Sequence, residues 1–346
     1  MKIIVTGGAG FIGSALVRKL ISETSNEVLN IDKLTYAGNL KSLELISDSE
    51  LYSFEKVDIC NRDKISEIFK QFLPHTIIHL AAESHVDNSI KGPSDFINTN
   101  VIGTLNLLEE FRLNAENSKE DQFQKFIHVS TDEVYGDLPH PDESDLHPLP
   151  KFREESPYKP SSPYSASKAG SDHLAAAWHR TYKLPIIITN CSNNYGPYQF
   201  PEKLIPLVIF NALNGKPIPV YGKGDQIRDW LYVDDHVDAL IKISKEGKIG
   251  EKYNIGGQNE LRNIEVIEKI CNILDKKNPP DKEKLHIDSY LDLIVFVEDR
   301  LGHDKRYSID IDKINKELKW EPSNNFEQGI ESTVDWYIEN RSWFDR

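Results

Sequence analysis

The run Gly7-Gly8-Ala9-Gly10-Phe11-Ile12-Gly13 constrains this chain most. It stands between an apolar pentapeptide, Lys2 to Thr6, and an apolar stretch from Phe11 to Ser22. Strand, Gly-rich turn and helix in that order leave few folds open. Glycines permit a tight turn and let a pyrophosphate approach the backbone, where the N–H groups of a helix N-terminus receive it. Nineteen residues after Gly13, at the end of the next apolar run, stands Asp32. A carboxylate there accepts hydrogen bonds from an adenosine ribose and repels a 2′-phosphate, which favours NAD over NADP. Lys33 beside it carries the contrary sign. The plainer reading is a Gly-rich turn with no ligand, but strand, helix and acid all agree with a dinucleotide site.

Further apolar runs follow at Glu27–Ile31, Leu51–Val57, Thr76–Leu80, Phe126–Ser130 and Ile186–Asn190, separated by helical patterns. This alternation predicts an α/β fold, a Rossmann-type doubly wound parallel sheet with a smaller C-terminal substrate-binding lobe. Ligands in such sheets bind beyond the carboxyl ends of the strands. Asp32, Asp58, Ala81, Thr131 and Asn193 follow such ends. The expected division is residues 1–190 with 229–262 for the dinucleotide part and 191–228 with 263–346 for the lobe. Tyr195–Gly224 and Leu285–Tyr307 are looser in pattern, while Tyr232–Lys245 and Asn263–Leu274 read as helices. Gly136 to Pro163 holds seven prolines. It is long for a connection, and such segments are either functional or plain surface insertions.

Two short strings carry chemistry. In Tyr164-Ser165-Ala166-Ser167-Lys168, Tyr and Lys at i and i+4 share a helix face. A nearby ammonium favours tyrosinate and would draw the phenol down from its usual value of about 10. Such a Tyr takes a proton from a substrate hydroxyl while a cofactor takes the hydride. Thr131-Asp132-Glu133 adds an acid and a base, equipment that a simple alcohol oxidation does not use. Alone, an Asp-Glu pair is more often a solvated turn; its place after an apolar strand and before the Tyr–Lys helix argues otherwise.

Bulk properties exclude several classes. A net charge of −14 and a pI near 5.3 argue against a nucleic-acid surface. No apolar run approaches the length of a membrane span. The segment before Gly7 is too short for a signal peptide h-region. Cys60, Cys191 and Cys271 are odd in number, widely spaced and without a CxxC, so free thiols in a reducing cytoplasm are expected. His75, His79 and His85 lack metal-ligand spacing, and no metal is expected.

Longer strings narrow the reading. They are His79-Leu80-Ala81-Ala82-Glu83-Ser84-His85-Val86-Asp87, Val129-Ser130-Thr131-Asp132-Glu133-Val134-Tyr135-Gly136, Ser161-Ser162-Pro163-Tyr164-Ser165-Ala166-Ser167-Lys168, Asn190-Cys191-Ser192-Asn193-Asn194-Tyr195-Gly196-Pro197, Arg228-Asp229-Trp230-Leu231-Tyr232-Val233 and Gly302-His303-Asp304-Lys305-Arg306-Tyr307. Together with the Gly-rich turn they resemble the extended short-chain dehydrogenase/reductase superfamily, and within it the dTDP-glucose 4,6-dehydratases, over nearly the whole chain. One departure is Leu301, where that family commonly has Pro before the Gly of the Gly-His-Asp string.

The resemblance implies conversion of dTDP-glucose to dTDP-4-keto-6-deoxyglucose and water, a step towards deoxysugars of the rhamnose type. It implies a tightly bound NAD that each turnover regenerates. Tyr164, assisted by Lys168 and Thr131, would deprotonate the 4-hydroxyl; Glu133 would remove the C5 proton and Asp132 would protonate the departing 6-hydroxyl. Gly7, Gly10, Phe11, Ile12, Gly13, Asp32, Lys33, Leu34, Thr35, Asp58, Ile59, Leu80, Ala81, Ala82, Thr99, Tyr164, Lys168 and Asn194 would line the cofactor. Ser84, Thr131, Asn193, Lys203, Leu204, Pro219, Tyr221, Arg228, Asn263, Arg300 and His303 would hold the sugar nucleotide, with the forked guanidinium of Arg228 suited to a diphosphate. The helices near Asn100–Phe111 and Ser167–Arg180 would also build a homodimer through a four-helix bundle.

Rival readings remain at this stage. A UDP-sugar 4-epimerase or a UDP-glucuronate decarboxylase would share Tyr164 and Lys168 but has no use for the acid pair. A 4,6-dehydratase acting on CDP-glucose or GDP-mannose differs only at base-contacting residues. A silent NAD-binding regulator would be expected to have lost one of these groups, and all are present.

Overall fold

Runs of Ile, Val and Leu with no polar alternation make strands that must be covered on both faces, and such strands pair in parallel beneath helices. In the computed structural model, which describes residues 1–117, 125–300 and 302–345, seven of them do so. The elements of the main sheet and its helices are β1 (Lys2–Thr6), α1 (Phe11–Glu23), β2 (Glu27–Asp32), β3 (Tyr52–Lys56), α2 (Arg62–Phe72), β4 (Thr76–His79), α3 (Val86–Lys91), α4 (Pro93–Phe96), α5 (Thr104–Asn117), β5 (Lys125–Thr131), α6 (Pro163–Tyr182) and β6 (Ile186–Cys191). Then come β7 (Asn193–Tyr195), α7 (Leu204–Leu213), β8 (Ile218–Tyr221), β9 (Ile227–Tyr232), α8 (Val233–Glu246), β10 (Lys252–Ile255), β11 (Glu260–Arg262), α9 (Asn263–Lys277), α10 (Lys282–Leu285), β12 (Ile294–Val297), α11 (Asp312–Leu318) and α12 (Phe326–Glu339).

The main sheet runs β10-β6-β5-β4-β1-β2-β3, parallel throughout. Strand order reverses beside β1, between β2 and β4, the position at which ligands bind in such sheets. One face is covered by α1, α8 and α11 through Leu16, Val17, Leu20, Val237, Leu240 and Ile314. The other is covered by α2, α5 and α6 through Ile65, Phe69, Leu107, Phe111 and Ala175. A third apolar cluster joins α7, α9 and α12 with β8. There β7, β9 and β11 form a small sheet, and β8 pairs with β12.

The expected fold class is the one observed, and the six strands read from the sequence lie where they were placed, within a residue or two at each end. The seventh, β10, was not read. Its four residues, Lys-Tyr-Asn-Ile, form too short a run to show a period. Helix α7 also lies in a stretch that looked irregular. Pro206 obscures it, but this proline sits in the first helical turn, where its missing N–H has no partner to lose. Leu301 lies outside the described residues.

The proline-rich segment packs closely against its surroundings. Leu138 N donates to Arg306 O, Phe152 bridges to Ile309, and Lys159 N donates to Val134 O. Val134, Tyr135, Leu138 and Phe152 form an apolar cluster with Ala169 and Ile309. The segment therefore leads into α6, whose start is fixed by a Ser162–Ser165 capping box and by Pro163 at its first position.

Candidate active site

The carboxyl ends of β1, β2, β4, β5 and β6 open into one cavity of about 680 Å³. The Gly-rich turn forms one end. Gly7 adopts a φ of +72°, and a Cβ there would lie 2.7 Å from Ala81 N, so only glycine fits between β1 and the turn after β4. A Cβ on Gly13 would lie 2.1 Å from Gly7 O. Gly10 caps α1 without any side-chain bond, leaving the first-turn N–H groups of that helix open towards the cavity. Asp32 is fixed by two backbone donors, Leu34 N at 2.8 Å and Ala9 N at 3.0 Å; burial raises its carboxyl, and these bonds act against the rise. Lys33 is committed elsewhere. Its ammonium donates to Thr99 Oγ1 at 3.2 Å and lies 3.4 Å from Glu83 and 3.7 Å from Asp58.

At the centre, β5 ends at Thr131 and turns at once into a short 3-10 helix, Asp132–Tyr135. Thr131 Oγ1 donates to Asp132 Oδ1 at 3.3 Å and accepts from Glu133 N at 3.3 Å, which fixes the turn. Asp132 is 1% exposed, and its Oδ2 has no partner within the protein. Burial, the neighbouring Glu133 and Asp229 together hold its carboxyl well above the usual range. Glu133 is also raised by burial, but Lys203, Arg228 and Arg300 pull it back. The two carboxyls thus sit in unequal fields. Both carboxyls are raised, Asp132 well above the usual range and Glu133 with three cations acting against the rise.

Tyr164 and Lys168 lie one turn apart on α6, both lining the same cavity. The expected lowering of the Tyr164 phenol is not found. Burial and the carboxylate of Glu133 push it well above its ordinary value, while a hydrogen bond with Thr131 acts the other way. Lys168 Nζ donates to Val129 O at 2.9 Å. Its own affinity for a proton is lowered by burial, against the attraction of Asp172.

Towards the lobe, the cavity gathers cations from distant segments. Arg228 is buried, with Nη1 donating to Ile227 O and Nη2 to Asp304 O, and its guanidinium stacks 4.3 Å from the Tyr307 ring. Part of the fork expected to grip a diphosphate is therefore already used to hold the side chain in place. Lys203 Nζ donates to Ser84 O at 2.9 Å, Arg300 pairs with Asp87, and His303 lies 2.7 Å from Asp299. Leu204, Pro219, Tyr221, Asn193, Asn194 and Asn263 line the same walls.

Of the residues singled out from sequence, all but Leu34 and Asp58 line this cavity. Leu34 supplies its backbone N–H to Asp32. Asp58 lies in an adjoining hollow with Lys33 and Cys60, its Oδ1 accepting from Cys60 N at 2.9 Å. Sequence reasoning missed Asp87, Asp304 and Tyr307. The Gly302–Tyr307 string offered the signal for two of them, since Tyr307 donates to Asp304 Oδ2 at 2.5 Å and supports Arg228. Among the described residues no cluster of three or more His, Cys, Asp or Glu is arranged to hold a metal. His79 lies between Thr6 and Thr104, and His85 caps α3. Among the described residues no helix is long and apolar enough to cross a membrane.

A doubly wound sheet with a Gly-rich turn at its switch point, and a Tyr–Lys helix beside the same cavity, defines an extended short-chain dehydrogenase/reductase. The two buried carboxyls place the chain further. It belongs to the nucleotide-sugar 4,6-dehydratase family, the family described as GDP-mannose 4,6 dehydratase matching residues 4–333. The dTDP-glucose 4,6-dehydratase of Shigella flexneri is 60% identical over 348 residues, covering 100% of this chain and 95% of the relative. The dTDP-glucose 4,6-dehydratase DesIV of Streptomyces venezuelae, solved with NAD and dTDP bound, superposes with a TM-score of 0.87 at 42% identity, covering 100% of this chain and 99% of that one. The enzyme of Bacillus anthracis in complex with NAD gives 0.85 at 43% identity, with the same coverage.

Proposed function

We propose that this chain is an NAD-dependent hydro-lyase that converts dTDP-glucose to dTDP-4-keto-6-deoxyglucose and water. The observation that carries the reading is the pair Asp132 and Glu133, held in unequal fields within the cavity that Tyr164 and Lys168 line. The Gly-rich turn fits the cofactor. Its backbone leaves no room for side chains at Gly7 and Gly13, and the open start of α1 is suited to a pyrophosphate. Asp32 is placed for the adenosine ribose, and Lys33 beside it is engaged with Glu83 and Asp58, which favours NAD.

When bound, NAD+ supplies an acceptor for the hydrogen at C4 and gives it back at C6, so it is unchanged over the cycle. The chain's own residues move the protons. Tyr164, with Thr131 beside it and Lys168 one turn below, takes the proton of the 4-hydroxyl. The resulting ketone acidifies C5. Glu133, raised by burial but with Lys203, Arg228 and Arg300 acting against the rise, removes the C5 proton. Asp132 delivers its proton to O6, because hydroxide is a poor leaving group and water a good one. Glu133, after exchange with solvent, returns a proton to C5, and solvent takes the proton held by Tyr164 and restores the one lost by Asp132. Arg228, Lys203, Asn193, Ser84, Asn263, Arg300 and His303 hold the sugar nucleotide, with Tyr221, Pro219 and Leu204 as apolar walls. The same reading makes residues 1–190 with 229–262 the cofactor part and 191–228 with 263–346 the substrate lobe.

Run in D2O with dTDP-glucose, the reaction should place deuterium at C5 of a 4-keto-6-deoxy product. A galactose isomer without deuterium would mean a 4-epimerase and end the dehydratase reading. CDP-glucose and GDP-mannose assayed alongside decide the base; faster turnover of either would move the substrate assignment.

The reading also includes a homodimer built on α5 and α6. Ile97 and Ile102, on the turn leading into α5, and Ile90 on α3 are exposed apolar residues beside that helix pair. Sedimentation should give a particle of twice the 39.6 kDa chain mass; a single-chain mass would remove the dimer. Three free thiols fit a reducing cytoplasm.

A further inference from the structure

Behind the Tyr–Lys pair, α6 carries a third polar residue on the same face. Tyr164, Lys168 and Asp172 are spaced i, i+4, i+8, so one lies below the next. Asp172 is 2% exposed and Lys168 4%. A carboxylate so deep in a sheet–helix interface is unfavourable unless it is hydrogen-bonded and its charge is balanced. The hydrogen bonds are present. Tyr158 OH donates to Asp172 Oδ2 at 2.7 Å, Asn190 Nδ2 donates to the same oxygen at 3.2 Å, and His128 Nε2 lies 3.0 Å from Oδ1. These partners come from three separate places, the proline-rich segment, β6 and β5, so the carboxylate is held from all sides. None of them carries a formal positive charge: His128 is kept neutral by burial and by Lys168, and its Nδ1 has no partner. After His128, the group that most favours the Asp172 carboxylate is the ammonium of Lys168, one turn away on the same helix face.

We propose that Asp172 is a positioning residue for the Tyr164–Lys168 pair, the buried counter-charge that keeps Lys168 an ammonium and its Nζ directed at Val129 O. The attraction is mutual. Asp172 favours the charged form of Lys168, and Lys168 with His128 offsets the burial that would otherwise raise Asp172. The other titratable groups packed around the pair are Tyr164 on α6, Cys191 on β6, His128 on β5 and His79 on β4, whose ring lies 5.4 Å from that of His128. Tyr135 and Tyr158 close the far side, with Lys252 of β10 lying 4.3 Å over the Tyr158 ring. Of these only Lys252 is a second cation. This inference rests on the role given to Lys168 above.

The test is Asp172→Asn, which keeps the shape and removes the charge. With the counter-charge gone, Lys168 loses its proton more easily. The alkaline limb of the kcat profile with dTDP-glucose should then move down by about one pH unit, the lower end of what one close opposite charge is worth. Asp172→Glu should return the limb towards its original position. Tyr158→Phe, which removes one hydrogen bond but no charge, should leave it in place. An unmoved limb in Asp172→Asn, or an equal shift in Tyr158→Phe, overturns the proposal. A second measurement needs no activity. Lys168→Met strands the Asp172 charge, so adding Asp172→Asn should recover urea stability; purely additive losses in the double variant overturn the counter-charge role, whatever the substrate proves to be.

Discussion

Tyr164→Phe should lower turnover of dTDP-glucose about 10²–10⁴-fold, the usual worth of a positioned base and equivalent to about 3–5 kcal/mol of barrier. The change removes one oxygen. Tyr164 is buried, its ring edge packs on Phe96 at 6.3 Å between centroids, and Phe retains that contact. The fold should therefore survive, and KM should change far less than kcat. The loss is large because neither group flanking the phenol can take over. Thr131 is not basic, and Lys168 points to Val129 O. The phenol sits high in this structure because Glu133 and burial both oppose tyrosinate. Near-wild-type turnover in a correctly folded variant would take Tyr164 out of the mechanism.

Glu133→Gln should show a different signature. The amide is isosteric but cannot take the C5 proton, so oxidation at C4 proceeds and elimination stalls. Turnover should fall by a similar factor, about 10²–10⁴-fold. Unlike in Tyr164→Phe, the absorbance of reduced nicotinamide should build up on mixing with substrate. The field around Glu133 makes the substitution informative. Burial raises its carboxyl while Lys203, Arg228 and Arg300 act against the rise, and the Gln variant removes the titrating group from that field. Its loss should also relieve Asp132, whose high proton affinity owes part of its origin to Glu133. A variant that turns over normally, or one that stalls with no reduced nicotinamide, would assign the C5 proton to another residue.

Much of this was legible from residue types and spacing. β1, the Gly-rich turn and α1 could be read because a buried parallel strand, a crowded turn and an uncapped helix each demand particular residues. Gly7 and Gly13 are the clearest cases, since backbone atoms occupy the positions where their side chains would stand. Tyr164 and Lys168 were legible because helical periodicity alone places them together. The lobe was less so. β7, β8, β11 and β12 there, like β10 in the main sheet, have three or four residues each, too few for a period to show, and they become strands only because a partner from elsewhere in the chain pairs with them. Asp172 was silent for the same reason. On sequence it is an acid on a helix, ordinarily solvent-facing, and only the arrival of β5, β6 and the Tyr158 segment makes it a buried one.

The sequence by itself determined that this chain binds a dinucleotide on a doubly wound sheet and carries an acid–base pair beyond the needs of oxidation. Those properties are local: they follow from steric limits on a turn, from i and i+4 geometry and from the ends of apolar runs. Only the tertiary structure sets the field that each carboxyl feels. Asp132 and Glu133 are adjacent and chemically alike, and nothing in their order ranks them. Burial raises both; Glu133 and Asp229 add to the rise at Asp132, while Lys203, Arg228 and Arg300 act against it at Glu133. Asp229 and the three cations belong to segments far along the chain. Charge acts through space in a poorly screening interior, so the proton's place is fixed by what folding brings near, not by what precedes or follows it.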